Sequence, residues 1–262
     1  LVCDDGSKSE NLQQLKASLA DLDVELVVQE NSYLGAARNA LLRAASGEFI
    51  IFLDDDDLAR PSMVSTTVSI ARKSGAQAVT TFPMHFVSED RNLAEADWTR
   101  FESEVPHAFT GGPISLVPWR NSLGGAVTLF ERRALEEING FTEIYGVGYE
   151  DFEVLARMKT SGFRIAVCPT PQFLYSTGAT SMAKSTSLSR GARRVLSAIQ
   201  ENINRSELLD VASLCAGIAA KEEQQRRNAG LVTSAASGTE NYEEWIDWAR
   251  SRGDLDLVAA LA

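Results

Sequence analysis

The sequence predicts an α/β protein in which helices cover both faces of a mostly parallel sheet and a helical extension follows. Strand-like and helix-like stretches alternate, with one strand about every 25 to 30 residues, as in doubly wound sheets. Residues 49–53 are apolar on both faces, as a strand between two helical layers requires. From about residue 185 onward, Ala, Glu, Gln, Arg and Leu dominate and no strand pattern remains. We therefore expect one domain over residues 1–185 and a helical extension over residues 186–262.

The N-terminal elements follow from local residue types. Leucines at helical spacing predict a helix over residues 8–22, and an Ala- and Leu-rich stretch predicts another over 31–45. The Val-rich run at 24–28 predicts a strand between these two helices. Pro61 and Gly75 are residue types that begin and end helices, so we expect a further helix between them.

The alternation continues toward the C-terminus. Strands are predicted over 78–87, 126–130 and 164–167, and helices over 132–138 and 150–162. Residues 88–125 show little periodicity, which favours a long functional loop region. Helices are expected near 190–204, 207–228 and 241–261, with a Gly-, Ser- and Thr-rich break at 233–239. We expect this extension to pack on the core, or to bind a second copy of the chain or another partner.

Composition and charge exclude some classes of protein. The chain has 262 residues, is 44% hydrophobic and 23% charged, and has a net charge of −11, so it suits a soluble globular protein. It lacks the basic stripe that nucleic-acid phosphates attract, so we expect no nucleic-acid partner. No apolar run reaches the roughly 18 residues of a membrane span. We expect a cytoplasmic protein, with a peripheral place at the inner face of the membrane as the alternative.

The cysteines do not form a disulfide pattern. Cys3, Cys168 and Cys215 are far apart in the sequence and odd in number. This usage favours a reducing compartment over a disulfide scaffold, so we expect buried thiols.

Four consecutive aspartates, at residues 54–57, follow the apolar run. Two like charges about 4 Å apart cost on the order of 4 kcal/mol at an effective dielectric near 20, and a divalent cation would relieve that repulsion. Carboxylate oxygens suit Mg²⁺ or Mn²⁺. Because side chains alternate along an extended segment, we expect Asp54 and Asp56 to point the same way. Asp55 and Asp57 would then shape the turn.

Two more acidic pairs lie where the sheet predicts a functional edge. Asp4 and Asp5 end the N-terminal strand, and carboxyl ends of parallel strands meet at one edge. Glu150 and Asp151 begin a helix, where free N–H groups and the helix dipole favour an ionised carboxylate. An ionised carboxylate suits a general base, whereas ordinary helix capping is the alternative interpretation.

These landmarks together resemble family 2 glycosyltransferases of the GT-A fold. The resemblance rests on residues 2–7 (VCDDGS), Asn31, Gly35, residues 37–39 (ARN), Gly47 and Glu48, residues 52–57 (FLDDDD), residues 129–141 (ending in Gly-Phe) and residues 148–151 (GYED). Each motif alone is weak, but their order and spacing are specific. Because the sequence begins inside a strand pattern, we expect the first strand and helix of that fold to lie outside these 262 residues.

The resemblance implies an inverting, metal-dependent transfer from a nucleotide-diphosphate sugar to a carbohydrate or glycoconjugate acceptor, and we expect the donor to be a UDP-sugar. It places the nucleotide base at Asp4 and Asp5 and the ribose at Asp54. It implies Mn²⁺ or Mg²⁺ at Asp56, with Asp54 beside it. Arg38 would brace the acidic loop or the diphosphate.

The acceptor side of the resemblance concerns the second acidic pair. Asp151 would be the catalytic base, and Glu150 would lie beside it and shape the acceptor site. Gly178 stands where many family members have a histidine near the metal, so metal binding would depend on Asp56 and phosphate oxygens.

Some assignments stay open on sequence grounds. Trp119, with Gly124 and Gly125 behind it, suits either a sugar or acceptor pocket or a packed loop. A nucleotidyltransferase on a related α/β sheet also gathers carboxylates around metal, although no Gly- and Lys-rich phosphate loop is visible. A non-catalytic binding module of the same fold is the remaining alternative.

Overall fold

The structure is a computed structural model that describes residues 1–86, 109–111, 121–176 and 188–199. Its strands are β1 Val2–Asp5, β2 Leu26–Gln29, β3 Phe49–Ile51, β4 Leu58–Ala59, β5 Ala78–Phe86, β6 Thr128–Glu131 and β7 Ile165–Ser176. Its helices are α1 Ser9–Leu19, α2 Tyr33–Ala44, α3 Met63–Ser74, α4 Arg132–Glu137, α5 Glu150–Thr160 and α6 Leu188–Ile199. The helices and strands predicted up to residue 167 are confirmed within these described ranges. The short strand β4 was not predicted, and β7 is longer than expected.

The sheet differs from the prediction in its strand directions. β1 and β2 form a two-stranded parallel sheet. The five-stranded sheet has the order β3-β6-β5-β7-β4 and is mixed. Of its described pairings, only β5 with β7 is parallel, whereas β6 runs antiparallel to β3 and β5, and β4 antiparallel to β7. The expectation of a mostly parallel sheet is therefore wrong for this sheet, because alternating helix and strand signals report element type but not strand direction.

Helices cover both faces of the five-stranded sheet. Neighbouring residues of a strand point to opposite faces. Ala78 of β5, paired with Phe130 of β6, packs in the main core with α5 and α6. The next residue pair, Val79 and Leu129, packs with Ala71 of α3 in a second core. The two-faced covering predicted from the apolar run is thus present.

Helix α5 lies at the centre of the main core, and α6 packs against it. Val154, Leu155 and Met158 of α5 are fully buried. Leu196 and Ile199 of α6 are buried in the same cluster. The core therefore fixes the helix that begins with Glu150 and Asp151, the predicted acceptor pair.

Several predictions fall on residues that the structure does not describe. These are Trp119, Gly178, Cys215, most of the 88–125 loop, and the helices expected at 207–228 and 241–261. The helix expected near 190–204 corresponds to α6. The boundary between residues 185 and 186 stays a prediction.

The described cysteines agree in part with the expected thiols. Cys168 and Cys3 are both free, and Cys168 is buried whereas Cys3 is half-buried. Within the described ranges, no helix combines the length and the apolar character needed to cross a membrane.

Candidate active site

Arg38 joins two of the acidic motifs. It lies on α2 and is buried. Its Nη2 donates to Asp54 Oδ1 at 2.9 Å, and its Nη1 donates to Glu150 Oε1 at 2.5 Å. The guanidinium also lies 5.7 Å from the ring centre of Phe141. The predicted donor-side and acceptor-side carboxylates therefore meet through one arginine, which the sequence analysis had placed only at the acidic loop or the diphosphate.

The charge balance keeps this arginine protonated. Burial alone would lower the pKa of Arg38, but Asp54 and then Glu150 raise it above its ordinary value. Two carboxylates compensate the positive charge of the buried guanidinium. Without Arg38, Glu150 would be a buried charge and Asp54 a half-buried charge, and neither would have this partner. Glu150 is itself buried, and its second oxygen, Oε2, has no hydrogen-bond partner among the described residues.

Asp151 has the proton affinity of a base that works near neutral pH. It lies in the first turn of α5, is partly buried, and its Oδ1 accepts a hydrogen bond from the Phe152 N–H at 2.7 Å. Burial, followed by the charge of Glu150, raises the pKa of Asp151 to about 6, although Arg38 opposes the shift. A carboxylate with this pKa is largely ionised at pH 7 and still binds a proton readily.

The two glycines of the predicted pocket have different surroundings. A Cβ atom on Gly125 would lie 3.8 Å from Asp151 Oδ2, so this residue borders the carboxylate. A Cβ atom on Gly124 would lie 2.3 Å from Thr80 Oγ1, inside the fold. Gly124 therefore permits close packing against β5, and Gly125 is the one that leaves space beside Asp151.

The four aspartates of residues 54–57 are not equivalent. Asp57 is buried, and its Oδ1 accepts a hydrogen bond from the Ser176 N–H at 3.0 Å, which ties the turn to the end of β7. Burial is the main cause that raises the pKa of Asp57 to about 7. Asp55 and Asp56 are exposed, and burial followed by the charge of Asp55 raises the pKa of Asp56. Asp57 thus shapes the turn, as expected, and Asp56 is open to a ligand.

The turn offers an incomplete set of metal ligands. Asp54 gives one carboxylate oxygen to Arg38, and Asp56 is exposed. In the part of the chain that the structure describes, no three His, Cys, Asp or Glu side chains are grouped as a metal site. Hard oxygen donors suit Mg²⁺ or Mn²⁺, which fill their remaining positions with water and phosphate oxygens. The residues therefore fit a cation that a diphosphate helps to hold.

Asp5 connects strand β1 to the helix that carries Arg38. Its Oδ1 accepts hydrogen bonds from Gln29 Nε2 at 2.7 Å and the Ser32 N–H at 2.8 Å, and its Oδ2 accepts one from the Tyr33 N–H at 2.9 Å. Asp4 is buried, and its Oδ2 accepts a hydrogen bond from the Ser7 N–H at 3.2 Å. The acidic turn thus fixes the start of α2.

Asn39 links two sequence motifs that had no assigned contact. Its Nδ2 donates to Phe141 O and to Glu143 Oε1, both at 2.8 Å, and its Oδ1 accepts from the Phe141 N–H at 2.8 Å. A Cβ atom on Gly140 would lie 2.4 Å from Asn39 Oδ1, so only glycine fits there. The Ala-Arg-Asn motif of α2 and the Gly-Phe turn therefore form one unit beside Arg38.

A second buried charge cluster, centred on Glu153, lies beneath helix α5, and no sequence motif indicated it. Glu153 accepts hydrogen bonds from Thr142 Oγ1 at 2.7 Å and Arg157 Nε at 2.6 Å, and Arg194 of α6 lies 3.5 Å from its other oxygen. The spacing of Glu153 and Arg157, four residues apart on a predicted helix, was a readable signal. Arg194 gave no such signal in the sequence, because the residues that it contacts are all distant along the chain.

Family models match most of the N-terminal part of the chain. Residues 1–138 match the model described as Glycosyl transferase family 2. Residues 117–184 match the model described as N-terminal domain of galactosyltransferase. Among curated proteins, the succinoglycan biosynthesis protein ExoO of Rhizobium meliloti (strain 1021) is 33% identical over 181 residues, which are 67% of this chain and 51% of ExoO. The chain thus spans about half the length of that relative.

Solved structures show the same fold. TarS of S. aureus in complex with UDP-GlcNAc has a TM-score of 0.64 at 16% identity, and the match covers 100% of this chain and 72% of the TarS chain. The mannosyltransferase PcManGT from Pyrobaculum calidifontis, in complex with GDP-Man and Mn²⁺, has a TM-score of 0.52 at 17% identity, covering 99% and 74%. The α/β fold with a mixed sheet agrees with the GT-A type that the motifs imply. Because the family model covers more than half of the 262 residues, the chain belongs to glycosyl transferase family 2.

Proposed function

We propose that this protein is a metal-dependent, inverting glycosyltransferase that moves a sugar from a UDP-sugar to a hydroxyl group of a carbohydrate or glycoconjugate acceptor. The observation that carries the proposal is the bridge from Asp54 through Arg38 to Glu150, the neighbour of Asp151. One buried guanidinium fixes the donor-side and acceptor-side carboxylates relative to each other. Transfer between two substrates needs such fixed placement.

The donor would lie along the acidic turns. Asp4 and Asp5 would border the nucleotide base, Asp54 would contact the ribose, and Asp56 would hold Mg²⁺ or Mn²⁺. The cation, when bound, supplies positive charge that stabilises the departing nucleoside diphosphate. A neighbour of this fold binds UDP-GlcNAc and another binds GDP-Man with Mn²⁺, which supports this class of donor. We choose UDP because the UDP-GlcNAc complex is the more similar of the two.

The acceptor would lie at the start of α5. Asp151 takes the proton of the acceptor hydroxyl. The acceptor oxygen forms the new bond to the anomeric carbon of the donor sugar, and the bond between that carbon and the diphosphate breaks. One base on the face opposite the leaving group is sufficient for inversion. Gly125 leaves space beside this carboxylate, and the unpaired Oε2 of Glu150 would be satisfied by a hydroxyl donor. The likeness to ExoO favours polysaccharide synthesis as the setting.

The deciding experiment replaces the base. Asp151→Asn should lower sugar transfer by a factor of about 10² to 10⁴, because the amide cannot accept the hydroxyl proton. In calorimetric titration, Asp151→Asn should bind UDP with Mn²⁺ with the same affinity as the wild-type protein. Asp21→Asn, at an exposed site on the surface, is the matched control and should transfer sugar normally.

Each result discriminates between the hypotheses. Wild-type turnover by Asp151→Asn would refute the assignment of the base. A wild-type protein that binds UDP with Mn²⁺ but transfers no sugar from a panel of nucleotide sugars would support the non-catalytic alternative instead.

A further inference from the structure

The loop before α5, residues 142–149, has little support from its own backbone. Among the described residues, no main-chain hydrogen bond joins residues 142–148 to another part of the chain. The loop ends at Tyr149, whose φ of 70° is left-handed, and Glu150 and Asp151 follow immediately. The position of these two carboxylates therefore depends on side chains that bind the loop.

Arg194 of α6 binds both ends of this loop. Its Nη2 donates to Thr142 O at 2.5 Å, and its Nη1 donates to Val147 O at 2.7 Å and to Gly148 O at 3.3 Å. The side chain is buried, and Glu153 provides the compensating charge at 3.5 Å. A single planar guanidinium thus satisfies three carbonyl groups that the loop leaves without main-chain donors.

The same helix supports the last residue of the loop. Gly191, one turn before Arg194, lies against the Tyr149 ring, and a Cβ atom there would be 2.4 Å from Tyr149 Cδ2. The Tyr149 ring therefore packs on α6 at a position where only glycine leaves room for it. α6 lies beyond residues 1–138 and 117–184, the ranges of the matched family models.

We propose that Arg194 is a positioning residue for sugar transfer, which it supports by fixing the loop that places Glu150 and Asp151. This inference rests on the proposed function. The hydrogen bonds of Arg194 reach the carbonyls of Thr142, Val147 and Gly148, and not the Asp151 carboxylate, so it acts on the base through the loop. Lysine keeps the charge but lacks the planar fork that reaches both ends of the loop.

The test is Arg194→Lys in the full chain. We expect kcat to fall about 10- to 100-fold, because a base displaced by a fraction of an ångström loses its alignment with the acceptor. The KM for the donor and the affinity for UDP with Mn²⁺ should stay within about twofold of wild type. The pH at which kcat falls should not change, since Arg194 is not among the charges that shift the pKa of Asp151. Arg72→Lys, in an exposed pair with Glu48, is the matched control and should match wild type.

A second variant keeps the inference testable if Arg194→Lys does not fold. Gly191→Ala adds one methyl group against Tyr149 and should give the same split, with lower kcat and unchanged UDP affinity. Wild-type kcat in either folded variant, or an equal loss of UDP affinity, would overturn the role of Arg194. A wild-type chain that transfers no sugar would instead overturn the proposed function. Amide hydrogen exchange would then test the loop itself. Exchange at residues 143–149 should be faster in Arg194→Lys than in wild type, and unchanged exchange would show that Arg194 does not fix the loop.

Discussion

At the scale of single residues, the site depends on charges that compensate one another. Arg38 pairs with Asp54 and Glu150, and its charge also opposes the upward pKa shift of Asp151. Removing one member of a buried ionic network leaves its partners uncompensated, so the network is sensitive to every member. The sequence indicated each carboxylate as a separate landmark. It could not indicate the bridge, because Arg38 and Glu150 are 112 residues apart and nothing local records their contact.

The pKa of Asp151, the base of the proposed reaction, predicts how sugar transfer depends on pH. A base must be ionised, and burial together with the charge of Glu150 raises this pKa to about 6. The rate should therefore be nearly full above pH 7 and should fall below pH 6, with about one-tenth of the base ionised at pH 5. The measurement is kcat between pH 5 and 8 at saturating donor and Mn²⁺. A rate that stays constant down to pH 5 would contradict the raised pKa of the base.

At the scale of elements, the sequence predicted the pieces better than their pairing. Every predicted helix and strand before residue 167 appears, because hydrophobic periodicity and capping residues are local. The direction of β6 is decided instead by where Phe130 and Leu129 find partners on β3 and β5, which is a tertiary property. The same limit applies to the site. Asn39 stood in a recognised motif, yet its partner Phe141 lies 102 residues away.

The contact between α2 and the Gly-Phe turn can be tested by Asn39→Ala. The substitution leaves the N–H and the C=O of Phe141 buried without their side-chain partner, at about 1 to 3 kcal/mol for each unsatisfied group. We expect the free energy of unfolding to fall by about 2 to 4 kcal/mol in urea titration. Asn11→Ala, at an exposed position on α1, should change it by less than about 0.5 kcal/mol. Equal effects of the two substitutions would show that the turn does not depend on Asn39.

At the scale of the whole molecule, α6 is part of the main core, although it lies beyond residue 185 in the sequence. Its apolar residues Val195, Leu196 and Ile199 are buried in the cluster that contains α5. Its polar face supplies Arg194 to the loop that precedes α5. The periodicity of the sequence indicated a helix here, but it did not indicate which surface the helix covers.

The packing of α6 predicts that Leu196, which the sequence analysis placed in the helical extension, contributes strongly to the stability of the core. Leu196 is 1% exposed, so Leu196→Ala removes buried apolar volume and should lower the free energy of unfolding by about 2 to 5 kcal/mol. Val64→Ala on α3, where the side chain is 60% exposed, is the matched control and should change stability by less than about 0.5 kcal/mol. Urea unfolding of both variants gives the comparison.

If residues 186–262 were an independent extension, Leu196→Ala would leave the unfolding of the core unchanged, and a chain ending at residue 185 would unfold at the wild-type midpoint. Because α5 packs against α6, we expect that shortened chain to lose cooperative unfolding and, with it, the fixed position of Asp151.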